Sequence, residues 1–103
     1  MVVLYYNLNM EKGRVHLIIS GFVQGVFYRA STRDTALKLG LKGWVRNLPD
    51  GNVEAVFEGP ADKIRQAVEW CHEGPAGAQV TKVDEKQEDY AGEFSSFDVR
   101  HGY

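Results

Sequence analysis

Gly21-Phe22-Val23-Gln24-Gly25-Val26-Phe27-Tyr28-Arg29 is the stretch on which the fold of this chain turns. Ahead of it, Val15-His16-Leu17-Ile18-Ile19-Ser20 places Val15, Leu17 and Ile19 on alternate positions, the period of a central strand. Behind it, Ala30 to Leu39 reads as a helix. A strand, a loop punctuated by glycine and a helix start together make an anion site. The first amides of a helix have no partner within it, the helix dipole adds partial positive charge there, and phosphate suits such a place. Arg29 stands where loop becomes helix, so a planar cationic fork faces the same anion.

Outward from this stretch the elements follow in order. Gly40 takes the left-handed position after the helix, and Leu41 folds back on Ala36 or Leu37. Gly43-Trp44-Val45-Arg46-Asn47 is a second strand, and Leu48-Pro49-Asp50-Gly51 is a turn. Asn52 to Glu58 returns as a third strand with Val53, Ala55 and Phe57 on one face, closing a hairpin. Gly59-Pro60 opens a second helix with proline at its first position. Ile64, Ala67, Val68 and Cys71 form its apolar stripe, and Glu73-Gly74-Pro75 ends it. Ala78 to Gln87 is a fourth strand with a charged outer face, Glu88 to Gly92 a turn, and Phe97, Val99 and Phe94 mark a short last strand. The order βαββαβ plus a short C-terminal strand predicts an α+β, ferredoxin-like sandwich: an antiparallel sheet of four to five strands with two helices on one face. Residues 1–13 read as an amino-terminal arm, flexible or edge-pairing, and residues 14–103 as the domain.

The chain has 103 residues, 44% hydrophobic and 25% charged, which is one ordinary globular domain. A formal charge of -2 argues against a broad nucleic-acid-binding face but leaves room for a small cationic site. Cys71 is the only cysteine, so neither an internal disulfide nor a multi-cysteine zinc site is expected. Met1 to Asn9 lacks the basic start and apolar run of a secretory signal, and no segment approaches the ~20 apolar residues of a membrane span. A cytoplasmic monomer that binds neither nucleic acid nor membrane is the expectation. His16, His72 and His101 fall in no ligand-like spacing, so no metal is expected.

Two stretches of the chain resemble the acylphosphatase family. One is the loop carrying Gly21, Val23, Gln24, Gly25, Val26 and Arg29; the other is the hairpin Gly43-Trp44-Val45-Arg46-Asn47 with Gly51, Val53 and Gly59. Both occur in the right order on the right elements, and the resemblance runs from about Val15 to Arg100. It implies an acylphosphatase-like domain that hydrolyses acyl phosphates without cofactor or metal. It also implies that Arg29 binds the phosphoryl group and Asn47 orients the attacking water. The backbone amides of Val23, Gln24, Gly25, Val26, Phe27 and Tyr28 then complete the phosphate-binding loop. Tyr28 departs from the phenylalanine or methionine usual before the arginine, and its hydroxyl requires a partner. Phe22 and Phe27 are bulky for their positions; support from neighbouring core is the expected role, and walling the acyl side of the pocket the alternative.

Each residue also has a plainer reading. Taken alone, Gly21 and Gly25 are turn glycines, Arg29 a solvated helix arginine and Asn47 a side-chain cap of the turn. Gln24 reads as a brace of the loop, Trp44 and Trp70 as core or half-buried aromatics, and Cys71 as a small buried hydrophobe. Rival functions on this fold are a non-catalytic anion-binding or RNA-binding module, or a domain of a larger carbamoyl-transfer enzyme. The RNA reading suffers from the acidic face Asn52, Glu54, Val56 and Glu58. Asn47 separates catalysis from mere anion binding, because holding phosphate does not require an amide that aims water.

Overall fold

In the computed structural model, which describes residues 11–101, seven elements follow one another as the sequence orders them. They are β1 (Lys12–Phe22), α1 (Tyr28–Lys38), β2 (Lys42–Asn47), β3 (Val53–Pro60), α2 (Ala61–Glu73), β4 (Gln79–Glu88) and β5 (Phe97–Arg100). The sheet order is β4-β1-β3-β2-β5. β1 pairs antiparallel with β3 and β4, and β2 antiparallel with β3. β5 runs parallel to β2, so the sheet is mixed where a wholly antiparallel one is expected. The reason lies in the connection. β5 is reached by a loop whose Ala91, Gly92 and Glu93 amides bind Glu58 near the end of β3, and it enters from the same end as β2; short strands leave such a choice to tertiary packing.

Alternation sorts the side chains. Val15, Leu17 and Ile19 of β1, Val45 of β2 and Val53, Ala55 and Phe57 of β3 are buried on the helix-bearing face. Each of the larger side chains, Ala55 excepted, contributes on the order of 1.5–3 kcal/mol through removal from water. α1 packs over β2 and β5, and α2 over β1, β3 and β4. Ile64, Ala67, Val68 and Cys71 form the buried stripe of α2. Phe97 locks β5 in place by stacking on Phe57 with ring centroids 5.4 Å apart.

Several boundaries differ from expectation for local reasons. β1 begins at Lys12, which pairs with Pro60, so only residues 1–10 of the expected arm lie outside the described residues. α1 starts at Tyr28 rather than Ala30 because Phe27 already supplies the cap. Pro60 is the residue before α2, not its first turn, with an extended ψ of 137°. Phe22 and Phe27 are 61% and 82% exposed, so neither supports the core. The end of α1 is as read: Leu41 N–H donates to Ala36 O at 2.9 Å and Gly40 N–H to Leu37 O at 3.2 Å, a Schellman closure with Leu41 folded into the core. Trp44 and Trp70 are half-buried and Cys71 fully so.

Glu58 organises the approach to β5. It is only 3% exposed, and its carboxylate accepts from the N–H groups of Ala91, Gly92 and Glu93 at 3.0, 3.2 and 3.1 Å. The Arg14 guanidinium lies 3.4 Å away. Burial opposes the charge, but the Ala91, Glu93 and Gly92 amides and Arg14 outweigh it and hold the carboxyl below its usual range. The open face of the sheet is laced with charge. Glu54 accepts from His16 at 2.7 Å and from Arg46 at 2.6 Å, and Trp44 lies under the Arg46 and Arg100 guanidinium groups. Among the described residues, Trp44 on this face is thus covered by guanidinium groups.

Candidate active site

The loop of residues 23–27 joins β1 to α1, and its shape comes from two left-handed residues. Gly25 has φ 77°, and an added Cβ there meets nothing within 4 Å, so the glycine serves the backbone conformation rather than space. Phe27 has φ 63° and ψ 23°. Left-handed residues set into a turn are how successive amides come to converge on an anion. Phe27 is also the residue that caps α1, and it makes no side-chain hydrogen bond to the helix. A serine or aspartate there would fill the first-turn amides with its own oxygen; phenylalanine leaves them to a ligand. The arrangement costs about 1–2 kcal/mol for a bulky left-handed residue.

Gln24 ties this loop to the hairpin. Its Nε2 donates to Leu48 O and to Asn52 O, both at 2.8 Å, clasping the two sides of the turn that follows Asn47. The turn itself is closed by Leu48 N–H to Asn52 O at 2.8 Å and Gly51 N–H to Leu48 O at 3.2 Å. The distance between loop and hairpin is thus fixed by one side chain, as the brace reading of Gln24 expects.

Tyr28 fixes the other end. Its side chain is 1% exposed, and its hydroxyl donates to Cys71 O at 2.7 Å. The ring lies 5.4 Å from that of Trp70. Gly74 makes room: a Cβ there would come within 2.8 Å of the Tyr28 ring. The hydroxyl therefore has its partner and bolts the first turn of α1 to the last turn of α2. Burial, with Cys71 beside it, keeps the phenol protonated far above its ordinary range. Burial also pushes the Cys71 thiol up to about 12, which leaves it inert as a nucleophile.

These supports frame a cleft of about 370 Å³ at the open end of α1. The loop contributes Val23, Gly25 and Phe27, and α1 contributes Tyr28, Arg29, Ala30 and Arg33. β2 brings Asn47, β5 brings Val99, and His101 follows the end of β5. Arg29 and Asn47 thus line one cavity, reached from two elements that Gln24 joins. Of the remaining loop residues named from the sequence, Val23, Gly25, Phe27 and Tyr28 border the cavity. Gln24 turns to the hairpin, and Val26 packs against the core near Gly77.

Four cleft residues are missing from the sequence expectation: Ala30, Arg33, Val99 and His101. Arg33 follows Arg29 by four, which puts both guanidinium groups on one helix face. That spacing was a usable signal. Val99 and His101 continue the alternation of β5 and become cleft residues only because β5 lies beside β2. Arg29 Nη1 donates to Arg100 O and to His101 Nδ1, both at 3.3 Å. A guanidinium only donates, so Nδ1 is the acceptor and carries no proton in this contact. Two guanidinium groups give the cleft positive charge within a chain of net charge -2. Among the described residues, no group of three or more His, Cys, Asp or Glu is placed to hold a metal ion. Nor, among those residues, is any helix long and apolar enough to cross a membrane.

Comparison with known proteins identifies relatives of this chain. A family model described as acylphosphatase matches residues 15–99. An acylphosphatase of Syntrophobacter fumaroxidans is 54% identical over 93 residues, covering 90% of this chain and 96% of its own. Among solved structures, an acylphosphatase from Coxiella burnetii aligns with a TM-score of 0.83 at 43% identity, over 86% of this chain and 93% of that one. The acylphosphatase from Bacillus subtilis gives a TM-score of 0.83 at 31% identity, over 85% of this chain and 98% of its own. The chain therefore spans nearly the whole length of these relatives.

Proposed function

The chain belongs to the acylphosphatase family, and from that premise we propose that Arg29 and Asn47 carry out its reaction in the cleft at the start of α1. The reaction is hydrolysis of the carboxyl–phosphate anhydride of an acyl phosphate to carboxylate and inorganic phosphate. The observation that supports these roles is that the guanidinium and the carboxamide border one cavity at an uncapped helix start.

In this mechanism the phosphoryl group sits on the loop amides from Val23 to Tyr28 and on Arg29. Arg29 moves its donors from Arg100 O and His101 to two phosphoryl oxygens. Its rigid fork meets the spread negative charge of the transition state, a fit that lysine lacks. The Asn47 side-chain oxygen holds one hydrogen of a water and aims the water's lone pair at phosphorus. As the new P–O bond forms, the bond to the carboxylate oxygen breaks, and the water's proton passes to a phosphoryl oxygen. The leaving carboxylate has a pKa of ~4, so no general acid is required. Neither signature carries a carboxylate or histidine to supply one. Positioning and preorganised charge supply the acceleration, and the scheme requires no metal. We further place the enzyme in the cytoplasm as a monomer acting on a small molecule. A lone thiol and a charge-covered outer strand, β4, support that assignment.

The test is phosphate release from acetyl phosphate in excess chelator, with binding of inorganic phosphate measured alongside. Arg29→Ala loses both binding and turnover. Asn47→Ala keeps phosphate binding within about threefold while kcat falls by about 10²-fold or more, as expected for a contact made only in the transition state. Equal loss of phosphate affinity in both variants would overturn the division of roles.

A further inference from the structure

We propose that Phe27 walls the part of the cleft that receives the acyl group, and that the enzyme thereby favours acyl phosphates with an aromatic or other large apolar substituent. The proposal rests on the reading that Arg29 and Asn47 act on an acyl phosphate in this cleft. It begins from a residue that every local rule disfavours. Phe27 is the only non-glycine residue with positive φ among the described residues. A bulky side chain in that region is a backbone outlier, and such outliers gather where a ligand gives them a use. It stands at a helix cap without capping the helix. Its ring is 82% exposed, so the core does not hold it there either. Glycine or asparagine would serve the backbone better on all three counts.

What the ring does border is the cleft. Phe27 lines it together with the apolar side chains of Val23, Ala30 and Val99, alongside Arg29 and Asn47. An acyl phosphate has one strongly anionic end and one end set by its carboxylic acid. With the anionic end on Arg29 and the loop amides, the substituent extends over the remaining lining, where Val23, Ala30, Val99 and the exposed Phe27 stand beside the polar Arg33, Asn47 and His101. An apolar substituent then covers a ring that is otherwise left in water. Phe22 serves as an internal contrast: it is 61% exposed, yet it does not border the cleft.

The experiment compares kcat/KM for benzoyl phosphate and acetyl phosphate in the unaltered chain, Phe27→Asn, Phe27→Gly and Phe22→Ser. Asparagine and glycine both accept the left-handed backbone, so these variants fold, and circular dichroism verifies it. The unaltered chain prefers benzoyl phosphate, and the benzoyl-to-acetyl ratio falls about tenfold in both Phe27 variants, the scale of a lost ring contact. Phe22→Ser keeps the ratio of the unaltered chain. A ratio that stays within about twofold in both Phe27 variants overturns the proposal. Calorimetric affinities for phenylphosphonate and methylphosphonate provide a readout that needs no turnover. If the unaltered chain hydrolyses neither acyl phosphate, the catalytic reading fails. The role of Phe27 then stands if its substitution abolishes a preference for phenylphosphonate, and falls if that preference is absent or unmoved.

Discussion

Replacing Gln24 with alanine removes the clasp between the loop of residues 23–27 and the hairpin while leaving Arg29 and Asn47 in place. Gln24 Nε2 makes two hydrogen bonds of 2.8 Å, to Leu48 O and Asn52 O. Both carbonyls keep a second donor, Gly51 N–H for Leu48 and Leu48 N–H for Asn52. No acceptor is orphaned, so each lost bond falls toward the lower half of the usual range and the pair amounts to about 1–2 kcal/mol. For a domain of this size, that lowers the melting temperature by roughly 5–12 °C. The effect on rate is of another kind. On the roles proposed above, Arg29 and the loop amides still hold phosphate, so KM moves little. Asn47, on the hairpin side of the lost clasp, is released from its fixed distance to phosphorus. A displacement of about 1 Å costs on the order of 10²-fold in rate, so kcat falls by about 10–10²-fold. Thermal unfolding followed by far-ultraviolet circular dichroism, paired with steady-state hydrolysis of acetyl phosphate at a temperature well below the transition, separates the two effects. If the melting temperature falls as stated while kcat stays within about twofold of the unaltered chain, Gln24 is a structural brace only and the coupling argument is wrong.

Tyr28→Phe removes the hydroxyl that donates to Cys71 O at 2.7 Å but keeps the ring against Trp70. It should lower stability by about 1 kcal/mol, read as the midpoint shift in urea with an unchanged slope. Glu58→Gln should lower stability near neutral pH by about 2 kcal/mol, because the buried carboxylate serves three amides and Arg14. Its folded pKa lies below its unfolded value, so its contribution is present above the unfolded value and is lost as pH falls through the folded one. The gap in melting temperature between Glu58→Gln and the unaltered chain therefore narrows on acidification. The acid limb does not vanish in the variant. Burial raises the Glu54 carboxyl, but His16 and Arg46 outweigh that and hold it low, so it titrates in the same direction. A gap that is constant from neutral pH to below both values would refute the assignment.

The parts of this molecule that were legible in its sequence are those decided within a few residues. The Leu48–Gly51 turn, the closure at Gly40 and Leu41 and the stripe from Ile64 to Cys71 each follow from local spacing, and each is present. The positions of Arg29 in the first turn of α1 and of Asn47 at the end of β2 follow from local pattern in the same way. What was hidden depends on distant closure. The partner of the Tyr28 hydroxyl is Cys71, 43 residues away. His101 and Val99 reach the cleft only through the parallel pairing of β5 with β2, and a four-residue strand does not announce its direction. Phe22 and Phe27 show the opposite failure. Hydrophobicity suggested core, but the loop that carries them has no core beneath those rings, and their exposure is visible only once the chain is folded.

The contact between Arg29 and the backbone and ring at Arg100 and His101 has a practical consequence. His101, the last described residue, lies at the rim of the pocket. An affinity handle or reporter fused at that end would crowd the doorway and compete for the guanidinium. Lys12, where β1 begins, lies at the end of that strand away from the loop of residues 23–27. Preparations that differ only in which end bears the handle should therefore differ in phosphate affinity, and assays meant to compare variants are best run on protein whose carboxyl end is unextended.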